Sequence, residues 1–434
     1  MAAAPATLRP TTASSSETKK KKPQMSNHHQ TVPDGSVTTP QGFVAAAVAA
    51  GIKQSGRPDL VLVAADRDCA AAGLFTRNRV AAAPVLLDRA TLAANRVALR
   101  GVLINAGNAN ACTGEAGLAD AREMQRLAAA AVGARPEQLL VMSTGVIGVP
   151  LPMARVAAGI TALAPLLSAN GGPAAAEAIM TTDTRPKRAA VAVELPDGHV
   201  TIGGMAKGAG MIHPDMATLL SVLTTDAVVT PDVLDSSLRE AIAASFNAIS
   251  IDGDTSTNDT IVLFANGASG VAVDDDESRA RFTAALTNLC VQLAQMIVRD
   301  GEGATRFVTL VVTGAESADD ARRAADTIAT SPLVKTAFAG GDPNWGRIMM
   351  AAGRSGAVLD PDRLALWVEA PGAPPLQLVC DGTPTGYTEA DAAAVFAQPE
   401  FTVHLDLGLG NGAATLWTTD LSHEYVTINA DYRT

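Results

Sequence analysis

Apolar residues recur along the chain in two patterns, which predict strands alternating with helices. Short apolar runs bounded by Gly, Asn and Ser are typical of buried strands. Longer stretches of Ala, Leu and Arg have the spacing of helices. The predicted strands are 60–63, 102–104, 139–142, 260–264 and 307–312. The predicted helices are 119–132, 151–167, 231–246, 278–298 and 318–330.

Two further segments complete the prediction of the fold class. An apolar run up to Leu195, a turn at Asp197-Gly198 and a second run predict a hairpin over residues 186–207. Residues 401–429 alternate in short β-like runs, so we predict strands there. Because helices and strands interleave without an internal repeat or a linker, the fold class is α/β or α+β.

The first 35 residues differ from the rest of the chain. They are rich in Ala, Thr, Ser, Pro and Lys and lack hydrophobic periodicity, so we predict a disordered extension over residues 1–35. Its low acidity and its Ser and Thr content also resemble an organelle transit peptide. The simpler interpretation is a solvated tail or an over-extended start, with Met25 as an internal alternative.

Composition excludes several classes of protein. The 434 residues are 47% apolar and carry a net charge of −11, which disfavours a nucleic-acid binder. The four cysteines lie far apart and have no zinc-site spacing. The longest uncharged stretch, residues 156–176, is interrupted by Pro and Gly and makes a poor membrane span. We therefore expect a cytoplasmic protein without nucleic-acid or membrane partners.

Lysine is rare in the body of the chain. Residues 1–35 contain five basic and two acidic residues, so the remaining chain has a net charge of −14. After residue 22, Arg supplies nearly all the positive charge. The lysines that remain are Lys53, Lys187, Lys207 and Lys335. Each of them is therefore a candidate for a specific role.

Five clusters of small and polar residues are candidates for a functional site. They are 105–114, 143–148, 207–218, 252–260 and 300–305. Glycine lets a ligand approach the main chain, although a tight turn explains any one cluster taken alone. None has the spacing of a phosphate-binding loop, so nucleotide binding gains little support.

Common catalytic and metal-binding patterns are absent from the sequence. An EF-hand starting at Asp252 fails because its twelfth position is Leu263, and we assign no metal. There is no HExxH motif and no GxSxG motif. His213 lies among glycines but precedes Pro214, and we interpret it as structural.

Residues 207–227 resemble the self-cleavage segment of the ornithine acetyltransferase family, also called the bifunctional glutamate N-acetyltransferases of arginine biosynthesis. The resemblance extends from residue 39 to residue 434. Other matching motifs are 105–114, 143–145, 181–183, 252–260, 300–305 and 341–347. The resemblance implies layered sheets with helices, as in the ornithine acetyltransferase or DmpA-like fold.

The resemblance also implies that the precursor cleaves itself between Ala217 and Thr218. The products would be an α chain ending at residue 217, with its folded part at 36–217, and a β chain of residues 218–434. The family pattern suggests a heterotetramer of two α and two β chains. Once Thr218 is N-terminal, its α-amino group, with a pKa of about 8, can act as the base for its own hydroxyl.

The implied reaction is transfer of acetyl from N-acetylornithine to glutamate through an ester of Thr218. Thr144, through its hydroxyl, and Gly145, through its N–H, would stabilise the oxyanion. The implied substrate-binding residues are Thr181, Lys207, Thr218, Glu302, Asn429 and Thr434. Lys207 suits a carboxylate and Glu302 suits the ornithine ammonium, while Thr181 is chosen over Thr182 by alignment to the family pattern.

Two other functions stay open at this point. One is an N-terminal-nucleophile hydrolase or aminopeptidase of related fold, in which water accepts the acyl group. The other is a non-catalytic binding protein. We expect no cofactor, and the residues leave open whether acetyl-CoA is also a substrate.

Overall fold

The computed structural model describes residues 28–213 and 219–431. Within these residues the strands are β1 (His29–Thr31), β2 (Phe43–Val48), β3 (Leu60–Phe75), β4 (Leu99–Asn108), β5 (Leu139–Val146), β6 (Lys187–Leu195), β7 (Gly198–Lys207), β8 (Leu220–Thr225), β9 (Ile249–Ser250), β10 (Thr260–Ala265), β11 (Phe307–Ala315), β12 (Ala365–Glu369), β13 (Leu376–Cys380), β14 (Thr383–Pro384), β15 (Glu400–Asp406) and β16 (Gly412–Thr419).

The helices alternate with these strands. They are α1 (Ala83–Ala94), α2 (Gly114–Ala131), α3 (Met153–Leu163), α4 (Gly172–Ala178), α5 (Pro231–Ala243), α6 (Asp276–Arg299), α7 (Ala318–Ala329), α8 (Pro332–Gly340), α9 (Trp345–Gly353), α10 (Glu389–Phe396) and α11 (His423–Asp431). The predicted α/β fold class is therefore confirmed.

Strand β3 joins two sheets because its two halves have different partners. Its first half, from Leu60, pairs antiparallel with β2 and β4, and its second half, up to Phe75, pairs antiparallel with β10. The register breaks between Ala64 and Cys69. We call β1, β6, β7, β8, β10 and the second half of β3 sheet A. Strands β2, β4 and β5 with the first half of β3 form sheet B.

The two sheets pack face to face between two layers of helices. Their shared core includes Val63 and Ile104 from sheet B and Phe264 from sheet A. Helices α5 and α6 cover the outer face of sheet A, and α2 and α3 cover the outer face of sheet B. Because side chains alternate along a strand, Leu103 of β4 faces the helices whereas Ile104 faces sheet A.

A third sheet completes the described part of the chain. Its strand order is β14-β13-β12-β15-β11-β16-β9, and α7 to α10 pack against it. Phe338, Phe396 and Phe401 form its aromatic centre, with ring centroids 5.1–6.1 Å apart. Strand β16 is the last strand of this sheet along the chain, and helix α11 follows it.

Most of the predicted elements are confirmed. The hairpin over 186–207 is the pair β6 and β7, in which Leu195 lies opposite Gly198. The predicted strand at 60–63 is the start of the much longer β3. The predicted helix at 278–298 lies inside α6, and Asp275 caps that helix through its side chain, which accepts from the Ser278 N–H.

The prediction of strands over residues 401–429 is wrong at its end. Strands β15 and β16 are present, but His423–Asp431 is helix α11. No residue of α11 is buried. The helix therefore lacks the apolar stripe from which sequence analysis identifies an amphipathic helix.

The predicted extension over residues 1–35 is too long. Residues 1–27 lie outside the described residues. His29–Thr31 form strand β1, which pairs antiparallel with β6. Val37, just after the predicted extension, is fully buried. Residues 28–35 therefore belong to the fold.

None of the helices in residues 28–213 and 219–431 is both long and apolar enough to cross a membrane.

Gly101 offers a direct test of the packing of β4 against β3. Its φ is +149°, and a Cβ there would lie 2.1 Å from the carbonyl oxygen of Val63. We expect Gly101→Ala to lower the free energy of unfolding by about 2–4 kcal/mol, through strain and overpacking. The measurement is urea unfolding.

Gly353→Ala is the matched control for this change. A Cβ on Gly353 would meet nothing within 4 Å, so this variant should be within about 1 kcal/mol of the wild type. Equal stability of the two variants would contradict the packing described here.

Candidate active site

A cavity of about 510 Å³ opens where β5, β7 and α11 approach one another. All of the predicted site residues that the structure describes line this cavity. They are Thr144, Gly145, Thr181, Lys207, Glu302 and Asn429. They come from distant parts of the chain, so the fold brings together residues that the sequence places up to 285 positions apart.

The remaining predicted site residues are Ala217, Thr218 and Thr434, and they lie outside the described residues. The chain is described up to His213 and again from Leu219. The Leu219 N–H donates to Oδ1 of Asp259 at 3.0 Å, and β8 begins at the next residue. His213 Nδ1 lies 3.2 Å from the hydroxyl of Ser250, which agrees with its interpretation as a structural residue.

Gly145 has no room for a side chain. Its φ is +134°, and a Cβ would lie 2.2 Å from the carbonyl carbon of Gly107 in the neighbouring strand β4. Glycine is therefore required for β4 and β5 to approach each other at their carboxyl ends. The main chain of Gly145 itself forms part of the cavity wall.

Lys207 is the last residue of β7, and its ammonium group meets Thr144. Nζ of Lys207 donates to Oγ1 of Thr144 at 3.4 Å, and both side chains are buried. Because this hydroxyl oxygen accepts from the lysine, its own hydrogen can donate elsewhere. Burial lowers the pKa of Lys207, and the nearby charge of Asp183 opposes that shift.

The carboxylate of Asp183 holds two of the cavity-lining segments. It accepts from the Thr181 N–H at 3.0 Å and from the Gly208 N–H, next to Lys207, at 2.7 Å. It also accepts from Nζ of Lys187 at 2.6 Å. Burial would raise the pKa of Asp183, but the charges of Lys207 and Lys187 lower it to about 2.

Lys187 connects this carboxylate to Asp300. Its Nζ donates to Oδ2 of Asp300 at 2.6 Å, and Asp300 in turn accepts from the N–H groups of Thr184 and Arg185. Asp300 follows the last turn of α6 and begins the loop that carries Glu302. We call Asp183, Lys187 and Asp300 the buried charge network. It ties the segments that contain Thr181, Lys207 and Glu302 to one another.

Glu302 and Asn429 also line the cavity and contact each other. Nδ2 of Asn429 donates to Oε2 of Glu302 at 2.8 Å. Gly210 allows the carboxylate to lie against the main chain, since a Cβ there would be 2.4 Å from Oε2. The cavity is therefore lined by a lysine, a hydroxyl and a carboxylate.

Sequence reasoning singled out the 252–260 cluster without assigning it a role. Asn258 lines the cavity, and its Nδ2 donates to the carbonyls of Ala109 and Ser143 at 2.6 and 2.8 Å. Asp252 accepts from the N–H groups of Met211 and Ile212. These bonds join the cluster to the loops after β4 and β7. The signal in the sequence that could have indicated this structural role is a run of polar residues that lacks the spacing of a metal site.

Thr181 and Thr182 both line the cavity, so the choice of Thr181 rests on its sequence match alone. In residues 28–213 and 219–431, no three His, Cys, Asp or Glu side chains are placed to hold a metal ion.

Asp183→Asn tests the buried charge network. Removing the charge leaves Lys187 and Lys207 with less compensation, so we expect the free energy of unfolding at pH 7 to fall by about 3 kcal/mol or more. The pKa of about 2 in the folded protein is below the value of about 3.9 for an unfolded Asp. The contribution of Asp183 is therefore present above pH 4 and lost as the pH falls towards 2.

Urea unfolding at pH 7 and pH 3 measures both effects. Asp232→Asn is the control because its side chain is 93% exposed and pairs with Arg96 at the surface, where such a pair contributes about 1 kcal/mol or less. If the Asp183 and Asp232 variants lose the same stability at pH 7, the network does not have the role described here.

Comparison with known proteins identifies the family. The ArgJ family model matches residues 44–434. The arginine biosynthesis bifunctional protein ArgJ of Symbiobacterium thermophilum is 51% identical over 405 residues, which cover 92% of this chain and 99% of that protein. The protein of the same name from Geobacter sulfurreducens is 49% identical over 397 residues, covering 91% and 99%.

A solved structure of ornithine acetyltransferase complexed with ornithine, from Mycobacterium tuberculosis, is 42% identical. The match covers 44% of this chain and 99% of that chain, with a TM-score of 0.40. The family model and the two sequence relatives span nearly the whole chain. This chain therefore belongs to the ArgJ family.

Proposed function

We propose that the protein is a glutamate N-acetyltransferase of arginine biosynthesis, which transfers acetyl from N-acetylornithine to glutamate. The observation that carries this proposal is the single cavity that collects Thr144, Gly145, Lys207 and Glu302 with two further predicted residues. Membership of the ArgJ family supports the same function. The products are ornithine and N-acetylglutamate.

The nucleophile in this proposal is Thr218, released by self-cleavage after Ala217. Its hydroxyl attacks the acetyl carbonyl of N-acetylornithine, the amide C–N bond breaks, and an acetyl ester forms. The α-amino group of Thr218 takes the hydroxyl proton and returns it to the departing amine of ornithine. The amine of glutamate then attacks the ester and regenerates the hydroxyl.

Thr144 and Gly145 are suited to stabilise the tetrahedral intermediates. A hydroxyl and a main-chain N–H are ordinary oxyanion donors, and removal of one such donor costs about 3–4 kcal/mol in the transition state. Since Oγ1 of Thr144 accepts from Lys207, its hydrogen is available for the oxyanion. The buried ammonium of Lys207 adds positive charge close to the same position.

The charged groups of the cavity match charged groups of the substrates. Lys207, with Thr181, would bind the α-carboxylate that both amino acids carry. Glu302 would attract the side-chain ammonium of N-acetylornithine, and the amide of Asn429 offers a neutral partner for the side-chain carboxylate of glutamate. Thr434 would bind the substrate together with Glu302 and Asn429.

Three further properties belong to the same proposal. Acetyl-CoA serves as a second acyl donor, in line with the name "bifunctional" of the relatives. The α and β chains assemble as a heterotetramer of two of each. The protein acts in the cytoplasm.

Self-cleavage gives the first test. The wild-type protein should separate into two chains on a denaturing gel, and N-terminal sequencing of one should begin at Thr218. Thr218→Ala should stay a single chain of 44.2 kDa, because the attacking hydroxyl is gone. Thr161→Ala, an exposed threonine on α3, should cleave like the wild type. An intact wild-type chain would refute the mechanism.

Thr144→Val tests the oxyanion donor. Self-cleavage and acetyl transfer both pass through a tetrahedral oxyanion, so we expect each to slow by about 10²–10³-fold. The measurements are the rate of chain separation and kcat of the cleaved fraction with N-acetylornithine and glutamate. Thr144→Ser, which keeps the hydroxyl, should recover most of both rates. Full activity of Thr144→Val would exclude this role.

The acceptor decides between transferase and hydrolase. With N-acetylornithine alone, a transferase should release little acetate, whereas added glutamate should yield N-acetylglutamate in proportion to ornithine. Acetate release that glutamate leaves unchanged would favour an N-terminal-nucleophile hydrolase.

A further inference from the structure

A second cavity, of about 660 Å³, adjoins the first. The two cavities share Gly145, Val146, Thr181 and Thr182 as lining residues. The shared wall therefore includes the proposed oxyanion donor Gly145. A ligand that reacts at Gly145 can extend into either cavity.

The loop of residues 51–58 lines a large part of the second cavity. The carboxylate of the next residue, Asp59, holds the loop in place. The carboxylate of Asp59, fully buried, accepts from the N–H groups of Ala50, Ile52 and Lys53 at 2.7, 2.5 and 2.9 Å. Three bonds to one carboxylate hold the start of the loop in place.

Lys53 joins this loop to the segment that carries Thr181. Its Nζ donates to the carbonyls of Pro58 and Ala178 at 2.9 and 2.8 Å. Gly107 allows this close approach, because a Cβ there would lie 3.1 Å from Cγ of Lys53. Burial lowers the pKa of Lys53 to about 8, with Asp59 and Asp183 opposing the shift, and a bound anion would raise it again.

The second cavity has more positive charge in its lining than the first. Its charged lining residues are Lys53, Arg57 and Glu177. Among the described residues, the guanidinium of Arg57 forms no ion pair and no hydrogen bond, so it is available to an anion. The charged lining residues of the first cavity are instead Lys207 and Glu302. A ligand with negative phosphate groups is therefore favoured in the second cavity and disfavoured beside Glu302.

We propose that the second cavity binds the leaving-group arm of an acyl thioester whose thiol carries phosphate groups, with Arg57 and Lys53 facing those phosphates. This inference rests on the proposed function, in which acetyl-CoA is a second acyl donor. Such a donor is several times larger than an N-acetyl amino acid, and a ligand of that size needs more than the first cavity.

The chemistry at the shared wall is the same for both donors. The hydroxyl of Thr218 attacks the thioester carbonyl, a C–O bond forms and the C–S bond breaks. The hydroxyl proton passes to the departing sulfur, which leaves as a free thiol. The acetyl ester is then the same one that N-acetylornithine provides, and only the leaving group occupies a different cavity.

Arg57→Gln is the test, since this side chain is exposed and has no partner to lose among the described residues. We expect KM for acetyl-CoA to rise about tenfold, a change equivalent to about 1.4 kcal/mol. The kinetics with N-acetylornithine should stay within about twofold of the wild type, because that donor does not enter the second cavity. The affinity for acetyl-CoA should also become less sensitive to added salt.

Arg135→Gln is the matched control, because Arg135 is 66% exposed and does not line the second cavity. This variant should leave the kinetics with both acetyl donors unchanged. If Arg57→Gln raises KM equally for both donors, or leaves KM for acetyl-CoA unchanged, the inference is overturned.

Inhibition of transfer from N-acetylornithine by free CoA and by inorganic phosphate separates the ligand classes. We expect CoA to inhibit the wild type well below the concentration at which phosphate does, and Arg57→Gln to weaken that inhibition. Equal inhibition by phosphate would indicate a simple anion site and overturn the inference. A wild type that neither uses acetyl-CoA nor is inhibited by CoA would also overturn it, while activity with N-acetylornithine would still support the proposed function.

Discussion

The carboxylate of Asp183 is the group on which the geometry of the cavity depends. It accepts from the main chain on both sides of the site, at Thr181 and at Gly208, and from the ammonium of Lys187. Lys187 passes the constraint to Asp300, at the start of the loop that carries Glu302. Through Lys187, one buried carboxylate thus connects the segment that carries Lys207 to the loop that carries Glu302.

Such a network contributes little net stability, because burying its charges carries a large desolvation penalty. A buried ion pair can be replaced by packed apolar residues with little or no loss of stability, although removal of one partner is strongly destabilising. The core of this chain is otherwise built from Ala, Val, Leu and Ile, with few aromatics. Placing Lys187 in that core, 1% exposed, is explained better by the need to position Lys207 and Glu302 than by stability.

The residues of the site were predicted from the sequence more completely than the contacts and elements that surround them. Lys207 and Glu302 were identified by the resemblance of their motifs to the ornithine acetyltransferase family, and both line one cavity. Asp183 was inside a matching motif, but its role depends on its bond to Gly208, 25 positions away, and on the bond between Lys187 and Asp300, 113 positions apart, which local pattern cannot show. Helix α11 was missed because it buries no residue, although it supplies Asn429.

The rarity of lysine also has a structural explanation. Three of the four lysines after residue 22, namely Lys53, Lys187 and Lys207, are close enough to Asp183 or to one another to affect the pKa values there. The body of the chain carries a net charge of −14, which disfavours the approach of an anion, whereas this group of lysines favours it. The proposed reaction places anionic groups near these lysines. They are the α-carboxylate of either amino acid and the oxyanion of each intermediate. Concentrating the lysines around one carboxylate creates a local positive region, and the carboxylate opposes the lowering of the Lys207 pKa by burial.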